Sequence, residues 1–181
     1  MPHAPRHKLG YDDYARLPDD GKRYELLDGE VLVTPAPSPR HQQAVVKLLE
    51  VLRAHFRRGA RVFVAPLDVV LSPHDVLQPD LVVVDDPSAI SERAIERPPL
   101  LVVEVLSPST EKRDRGLKLD RYAALGVRHA WLVDHEIPAI ACFRLAPGSI
   151  ARVVQASDVD AIVEHPDFPD LAFRLGTIQE P

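Results

Sequence analysis

The sequence predicts a protein of the α/β class, in which helices cover the central strands of a sheet. The first observation behind this prediction is the run 100–106, seven residues that are apolar except for Glu104. Successive side chains of a strand point to opposite faces, so this strand has two apolar faces and is expected to be buried on both sides. The second observation is that segments with helical periodicity, residues 38–58 and 111–125, lie before and after this strand.

Size and composition indicate one soluble domain. The chain has 181 residues, 45% of them hydrophobic and 27% charged, which is ordinary for a globular protein. We expect a single domain over residues 1–181 with a loose tail at residues 1–10, and a cytoplasmic protein, because the sequence contains neither a long apolar run nor a signal-peptide core. With Cys142 as the only cysteine, a metal would have to be held by Asp, Glu or His. The formal net charge of -5 argues against general affinity for nucleic acid but leaves room for a local basic patch.

A hairpin is expected near the N-terminus. Two short strand-like runs within residues 24–33 flank Asp28-Gly29, a strong signal for a tight β-turn. On this pattern alone, Glu25 and Glu30 are interpreted as solvent-facing strand residues.

A long helix should follow the hairpin, after a short one at residues 11–17. Ser38 provides an N-cap and Pro39 a first-turn proline, and the helix should run to residue 57 or 58 and end at Gly59. His41 lies on the apolar stripe of this helix, where it is either a core or capping group or a side chain directed toward a site. The stripe consists of Val45, Leu48, Leu49, Leu52 and Phe56.

The remaining strands are short and rich in β-branched residues. Pro79 is tolerable only at a strand start or an edge, which places Asp80 at the beginning of a strand. Strands are predicted at 61–65, 67–71, 76–86, 128–134 and 139–145, with finishing strands near 151–154, 161–163 and 171–175.

The second helix, residues 111–125, should be capped by Ser109 or Thr110 and closed by Gly126. Lys118 lies on its apolar side, in line with Asp114 and Tyr122. Its ammonium group either extends to water or reaches an anionic group. The segment 111–128 carries a local net charge of +3, which suits either a phosphate-contacting face or an ordinary solvated one.

Asp80, Glu104 and Lys118 would form one candidate catalytic site if the strands that carry the two carboxylates are neighbours. An ionised carboxylate inside a buried strand needs a compensating partner. Two carboxylates at one sheet edge form a hard-oxygen site suited to Mg²⁺, which would polarise a phosphodiester and activate water. The lysine would offset developing charge or help deprotonate the water.

These residues resemble the PD-(D/E)XK nuclease superfamily, and within it the Uma-type endonucleases, which are restriction-endonuclease-like. The resemblance covers roughly residues 11 to 145. Its motifs are residues 24–30, His41, Pro79-Asp80, residues 104–110, Asp114, Lys118, Tyr122 and residues 131–134.

The resemblance implies a restriction-endonuclease-like core with a central mixed β-sheet flanked by helices, and Mg²⁺-dependent cleavage of DNA, with Mn²⁺ able to substitute. It implies Asp80, Glu104 and the backbone of Val105 as metal ligands, with Lys118 aiding catalysis and Glu25 and His41 as further candidate site members.

The chain departs from the superfamily motif in one place. Leu106 stands where the motif has its lysine, two residues after the acid, so activity would depend on Lys118 reaching the site from the helix.

Two other functions fit the same residues. One is a catalytically silent relative that binds DNA or a protein with the same fold, because fold alone does not establish activity. The other is a hydrolase that uses the carboxylates on a small substrate. A homodimer is plausible for the nuclease, because two sites cut both strands most simply.

Overall fold

The computed structural model describes residues 8–57, 59–108 and 111–179 of the chain. The helices are α1 (Tyr11–Tyr14), α2 (Pro39–His55), α3 (Glu111–Arg113) and α4 (Leu119–Ala124), with a π-helical turn (Asp114–Lys118) joining α3 to α4 and 3₁₀ turns at Pro87–Ala89 and Leu175–Ile178. The strands are β1 (Arg23–Leu27), β2 (Glu30–Thr34), β3 (Arg61–Val64), β4 (Val69–Ser72), β5 (Asp75–Leu77), β6 (Leu81–Val84), β7 (Leu101–Leu106), β8 (His129–Asp134), β9 (Ala139–Ala146), β10 (Ser149–Ala156), β11 (Ile162–His165) and β12 (Phe168–Arg174).

The central sheet is mixed, as the family resemblance implied. Its strand order is β10-β9-β8-β7-β6-β3, and only β7 and β8 run parallel to each other. Parallel neighbours need a long crossover, which the helical segment α3 to α4 provides. A four-stranded antiparallel sheet has the order β2-β1-β5-β4, and β11 pairs with β12.

The two faces of the central sheet are covered by different elements. Leu101, Val103 and Val105 of β7 pack in the cluster that contains the buried side of α2 and the β11–β12 pair. Val102 packs in the opposite cluster, with α4 and parts of the four-stranded sheet. All six residues of β7 are buried, which confirms the two-sided burial expected of this strand.

Helix α2 begins with the N-cap and the first-turn proline that the sequence predicted. The Ser38 hydroxyl accepts a hydrogen bond from the His41 backbone N–H at 3.2 Å, and Pro39 occupies the first turn. The helix ends at His55, two to three residues before the predicted end, and Arg53 and His55 lie in the last turn, where positive charge suits the helix dipole.

The β1–β2 hairpin turns at Asp28 (φ 51°) and Gly29 (φ 81°) as predicted. A Cβ on Gly29 would lie 2.6 Å from the Cβ of Lys8, so the close approach of the chain also requires glycine here. The predicted loose tail is attached from Lys8 onward: the Leu9 N–H donates to the Gly29 carbonyl at 3.1 Å. Residues 1–7 lie outside the described residues.

Other elements also differ from prediction. α1 ends at Tyr14, before the predicted end at residue 17, and the single strand predicted at 76–86 is divided into β5 and β6. The break includes Pro79, which has no backbone N–H to donate to a sheet. The helix predicted at 111–125 is interrupted by the π-helical turn. Its predicted caps, Ser109 and Thr110, lie outside the described residues. No helix in the described part of the chain has the length and apolar character that crossing a membrane requires.

Candidate active site

Asp80 and Glu104 lie on neighbouring strands, as the sequence analysis required. β6 and β7 pair antiparallel with Leu81 opposite Val103, so Asp80, directly before β6, lies beside the end of β7 that carries Glu104. The Asp80 Oδ2 atom accepts a hydrogen bond from the Val105 N–H at 2.8 Å. The two residues are 6% and 4% exposed, so both carboxylates are withdrawn from water.

Lys118 reaches Glu104 from the crossover helix. Its ammonium Nζ lies 3.0 Å from Glu104 Oε1, and the hydroxyl of Tyr122 donates to the same oxygen at 2.6 Å. Lys118 is 3% exposed, so of its two predicted orientations the one directed at an anionic group is correct.

Glu25 belongs to this cluster, and its prediction as a solvent-facing residue is wrong. The side chain is fully buried, and Lys118 Nζ lies 2.8 Å from its Oε1. The Gln78 N–H also donates to Oε1 at 2.8 Å, and Thr34 Oγ1 to Oε2 at 3.3 Å. The hairpin face that looked exposed is covered by the crossover helix, which the local pattern of β1 does not reveal. Glu30, by contrast, is exposed as predicted.

The π-helical turn determines how the crossover helix meets Glu104. It contains both Asp114 and Lys118, and Tyr122 follows in α4. Lys118 Nζ is 3.8 Å from Asp114 Oδ1, so two groups of the turn and one of α4 converge on the same buried region. Single π-helical turns within helices are frequent at functional sites. The predicted alignment of Asp114, Lys118 and Tyr122 on one face was correct, although the turn itself was not predicted.

Burial and neighbouring charges change the pKa values of the two glutamates in this cluster. Burial raises the pKa of Glu104 to about 8, against the opposing effect of the Lys118 ammonium and with further upward effects from neighbouring carboxylates. For Glu25, burial also disfavours the charged form, but Lys118, the Gln78 N–H and Arg113 together bring its pKa below the ordinary value. The two glutamates therefore differ: Glu25 is ionised at neutral pH, whereas ionised Glu104 needs additional positive charge.

Lys118 and Tyr122 are held in their protonated forms. Burial alone would lower the pKa of Lys118, but Glu104, Glu25 and Asp114 raise it above its ordinary value. Burial, followed by the charges of Glu104 and Glu25, raises the pKa of Tyr122 well above 10. Tyr122 can therefore act on Glu104 only as a hydrogen-bond donor.

His41 is directed toward the site, which is the second of its two predicted placements. Its Nε2 atom is 3.3 Å from Asp80 Oδ2 and 3.1 Å from the carbonyl oxygen of Val105. That carbonyl, predicted as a metal ligand, thus already has one neighbour, and its second lone pair leaves capacity for another. The His41 ring also meets His135 edge-on at 5.6 Å.

A cavity of about 390 Å³ opens onto these side chains. Four buried carboxylates line it, those of Glu25, Asp80, Glu104 and Asp114. Its cations are Lys118, Arg113 and Arg23, with Arg113 Nη2 3.8 Å from Glu25 Oε2 and Arg23 Nη1 3.9 Å from Asp80 Oδ1.

Most of the predicted basic patch does not face this cavity. Arg121 pairs with Asp75, Arg128 with Asp85, and Arg115 with Glu111. Of the six cations in residues 111–128, Arg113 and Lys118 line the cavity.

A mixed sheet with an acidic residue before one strand, a second acid within its neighbour and a lysine on the following helix defines a restriction-endonuclease-like protein of the nuclease class. The family model Uma2, described as "Putative restriction endonuclease", matches residues 11–176, and the chain belongs to this family.

The chain is also similar to one curated protein and to one solved structure. The uncharacterized protein slr1290 of Synechocystis sp. is 31% identical over 125 residues, which cover 67% of this chain and 66% of that protein, slightly less than two thirds of its length. A crystal structure described as a putative nuclease belonging to DUF820, from Anabaena variabilis, superposes with a TM-score of 0.77 over 94% of this chain and 97% of that one, at 20% identity. At that identity the similarity establishes the fold.

Proposed function

We propose that this protein is a metal-dependent endonuclease that hydrolyses phosphodiester bonds of DNA. The observation that carries the proposal is the convergence of Asp80, Glu104 and Lys118 at one cavity, from two adjacent strands and the crossover helix. The family description supports DNA as the substrate, because restriction endonucleases act on DNA.

The donor set fits Mg²⁺. Asp80, Glu104 and the Val105 carbonyl offer hard oxygen atoms, and Mg²⁺ usually binds one or two carboxylates and keeps several waters. Four buried carboxylates share the cavity with three cationic side chains, and a divalent cation would supply further positive charge. Asp80, Glu104 and Val105 would hold the ion, with Mn²⁺ able to replace it, and the ion would contribute Lewis acidity toward phosphate and water.

The chain's own residues have separate tasks in this proposal. Lys118 stabilises the charge that develops on the phosphate and orients the attacking water. Glu25 holds the Lys118 ammonium through its 2.8 Å contact, and Tyr122 fixes Glu104 through its hydroxyl. His41 positions Asp80 and the Val105 carbonyl by donating from Nε2. Arg113 and Arg23 are placed at the cavity to contact phosphate oxygens.

The test is cleavage of supercoiled plasmid by the purified protein with Mg²⁺ or Mn²⁺, compared with Glu104→Gln and Asp80→Asn. We expect metal-dependent nicking or linearisation by the wild type, and a loss of about 10²-fold or more in each variant. Glu30→Gln and Asp120→Asn are the matched controls, because both residues are exposed and lie outside the cavity.

A wild type that cleaves no duplex, single strand or RNA with either metal would overturn the proposal. If DNA were nevertheless bound equally by the wild type and both variants, the result would favour the silent binding module. Cleavage that survives in Glu104→Gln would place the active site elsewhere.

A further inference from the structure

Three metal-ligating side chains meet on the other side of the central sheet. His129, His165 and Asp167 each offer one ligand atom, and these atoms all lie within 4.8 Å of one another. Among the described residues, this is the only group of three or more histidine, cysteine, aspartate or glutamate side chains that is so arranged.

The cluster is independent of the candidate active site. His129 begins β8 and pairs with Leu101, whereas Glu104 pairs with Leu132, so the two sites are about 10 Å apart along the strands. His129 shares its sheet face with Trp131, which packs in the α2 and β11–β12 cluster, and Glu104 points to the opposite face.

Both histidines are buried with a ring nitrogen that lacks a hydrogen-bond partner. His129 is 7% and His165 4% exposed, and His129 Nδ1 and His165 Nε2 are among the buried side-chain atoms that have no hydrogen-bond partner in the described part of the chain. A buried polar atom without a partner destabilises the folded state, because it loses its hydrogen bonds to water. Two such atoms in one cluster are unusual for a site that serves only packing.

Asp167 is oriented toward the histidines by its neighbours. Its Oδ2 atom lies 3.9 Å from His129 Nδ1 and accepts from Arg144 Nε at 2.8 Å, while Oδ1 accepts from Arg144 Nη2 at 2.5 Å. A carboxylate has about four lone-pair sites, so the arginine fork leaves capacity for a cation. The Asp167 N–H donates to His165 Nδ1 at 3.1 Å, so His165 would coordinate an ion through Nε2 only when its proton moves to Nδ1 and this hydrogen bond is given up.

We propose that His129, His165 and Asp167 form a second metal site that takes one Zn²⁺ ion. Two imidazoles and one carboxylate are a common three-ligand set for zinc, which leaves a fourth position for water. The ion would enter from the side of Asp167, because 28% of this side chain is accessible. The ion would join the start of β8 to the β11–β12 turn, two segments that are far apart in the chain.

The ligand types separate this site from the first one. Imidazole nitrogen suits zinc, cobalt and nickel, whereas carboxylate and carbonyl oxygen suit magnesium. Mg²⁺ at millimolar concentration should therefore leave zinc binding at the second site unchanged.

The experiment measures Zn²⁺ binding by calorimetry to chelator-treated full-length protein that carries Asp80→Asn and Glu104→Gln, so that the first site cannot contribute. We expect one Zn²⁺ ion per chain, and Co²⁺ should give visible absorption typical of a low-coordinate site. In this background His165→Phe should weaken binding by at least the roughly 10–100-fold that loss of an outer-shell partner costs. The phenylalanine ring preserves packing against Phe168, 4.3 Å away.

A further variant keeps the test decisive if His165→Phe folds poorly. Asp167→Asn should weaken zinc binding to a similar degree. His55→Phe is the matched control, because its ring also lies near Phe168 but outside the ligand group. Absence of zinc binding in the double-variant background, or equal binding by Asp167→Asn, would overturn the proposal.

Discussion

At the scale of single residues, Lys118 is the group on which the site depends most. It is 3% exposed and lies within 3.0 Å of two carboxylates, Glu104 and Glu25. A buried cation with such partners is costly to remove, because the carboxylates are left without compensation.

We therefore expect Lys118→Met to lower the free energy of unfolding by about 3–5 kcal/mol. Adding Glu25→Gln should restore part of this loss, because one uncompensated carboxylate is then neutral. Urea unfolding measures both effects, and exposed Lys112→Met serves as the control. A Lys118→Met protein as stable as the wild type would contradict the charge balance described for the cluster.

At the scale of elements, the π-helical turn aligns Asp114 and Lys118 with β7. Deleting Gly116 should convert the turn to an α-helix and rotate one of these two side chains away from Glu104. We expect metal-dependent cleavage to be lost while helical circular dichroism is retained.

The matched control is Gly116→Ala. A Cβ on Gly116 would meet no atom within 4 Å, and its conformation is helical, so alanine should retain activity and stabilise by up to about 1 kcal/mol. Full activity after the deletion would mean that the turn does not position the site.

A second element-scale contact joins three segments through Asp75. Its carboxylate accepts from Ser72 Oγ, the Asp28 N–H and Arg121. Burial opposes ionisation, but these donors, with Arg121 foremost, hold the pKa of Asp75 below its ordinary value of 3.8.

The pH dependence of stability follows from this lowered pKa. Because the unfolded state takes up the proton first as the pH falls, the contribution of Asp75 is present above pH 3.8 and is lost as the pH falls through the lower folded pKa. The stability difference between the wild type and Asp75→Asn should shrink below about pH 3.8, as measured by urea unfolding across a pH series. A gap that widens on acidification would be inconsistent with this account.

At the scale of the whole molecule, the central sheet is stabilised by the helices and strands that pack against its two faces. Leu48 of α2 is fully buried in the cluster that contains β7, β8 and β12. Leu48→Ala should lower the free energy of unfolding by about 2–5 kcal/mol through lost burial and the cavity left behind. Val46→Ala, at a position 49% exposed, should change it by no more than about 0.5 kcal/mol, and thermal or urea unfolding compares the two.

Much of the architecture could be predicted from local sequence. The buried strand around Glu104, the Ser38 cap, the Asp28-Gly29 turn and the placement of Asp80 at a strand start all depend on residues that are neighbours in the chain. Steric and hydrogen-bonding preferences of this kind act over a few residues, so the sequence expresses them directly.

Other features were decided only by tertiary structure. Glu25 was predicted to face solvent because its burial comes from a helix some ninety residues later, and only the family resemblance indicated a role for it. The π-helical turn over Asp114–Lys118 was not indicated by the helical periodicity of residues 111–125. His129, His165 and Asp167 do not form a recognisable sequence motif. They come together only because β8 pairs with β9 and the chain returns to this region in β11.

The sequence by itself thus indicated the class of fold and singled out Asp80 and Glu104 as candidates, because both follow from the pattern of residues along single strands. That the two residues lie side by side was decided by the pairing of β6 with β7. Tertiary structure decided which further charges meet that pair. A buried carboxylate is compensated by whatever group the packing brings within reach, and that group can come from any part of the chain.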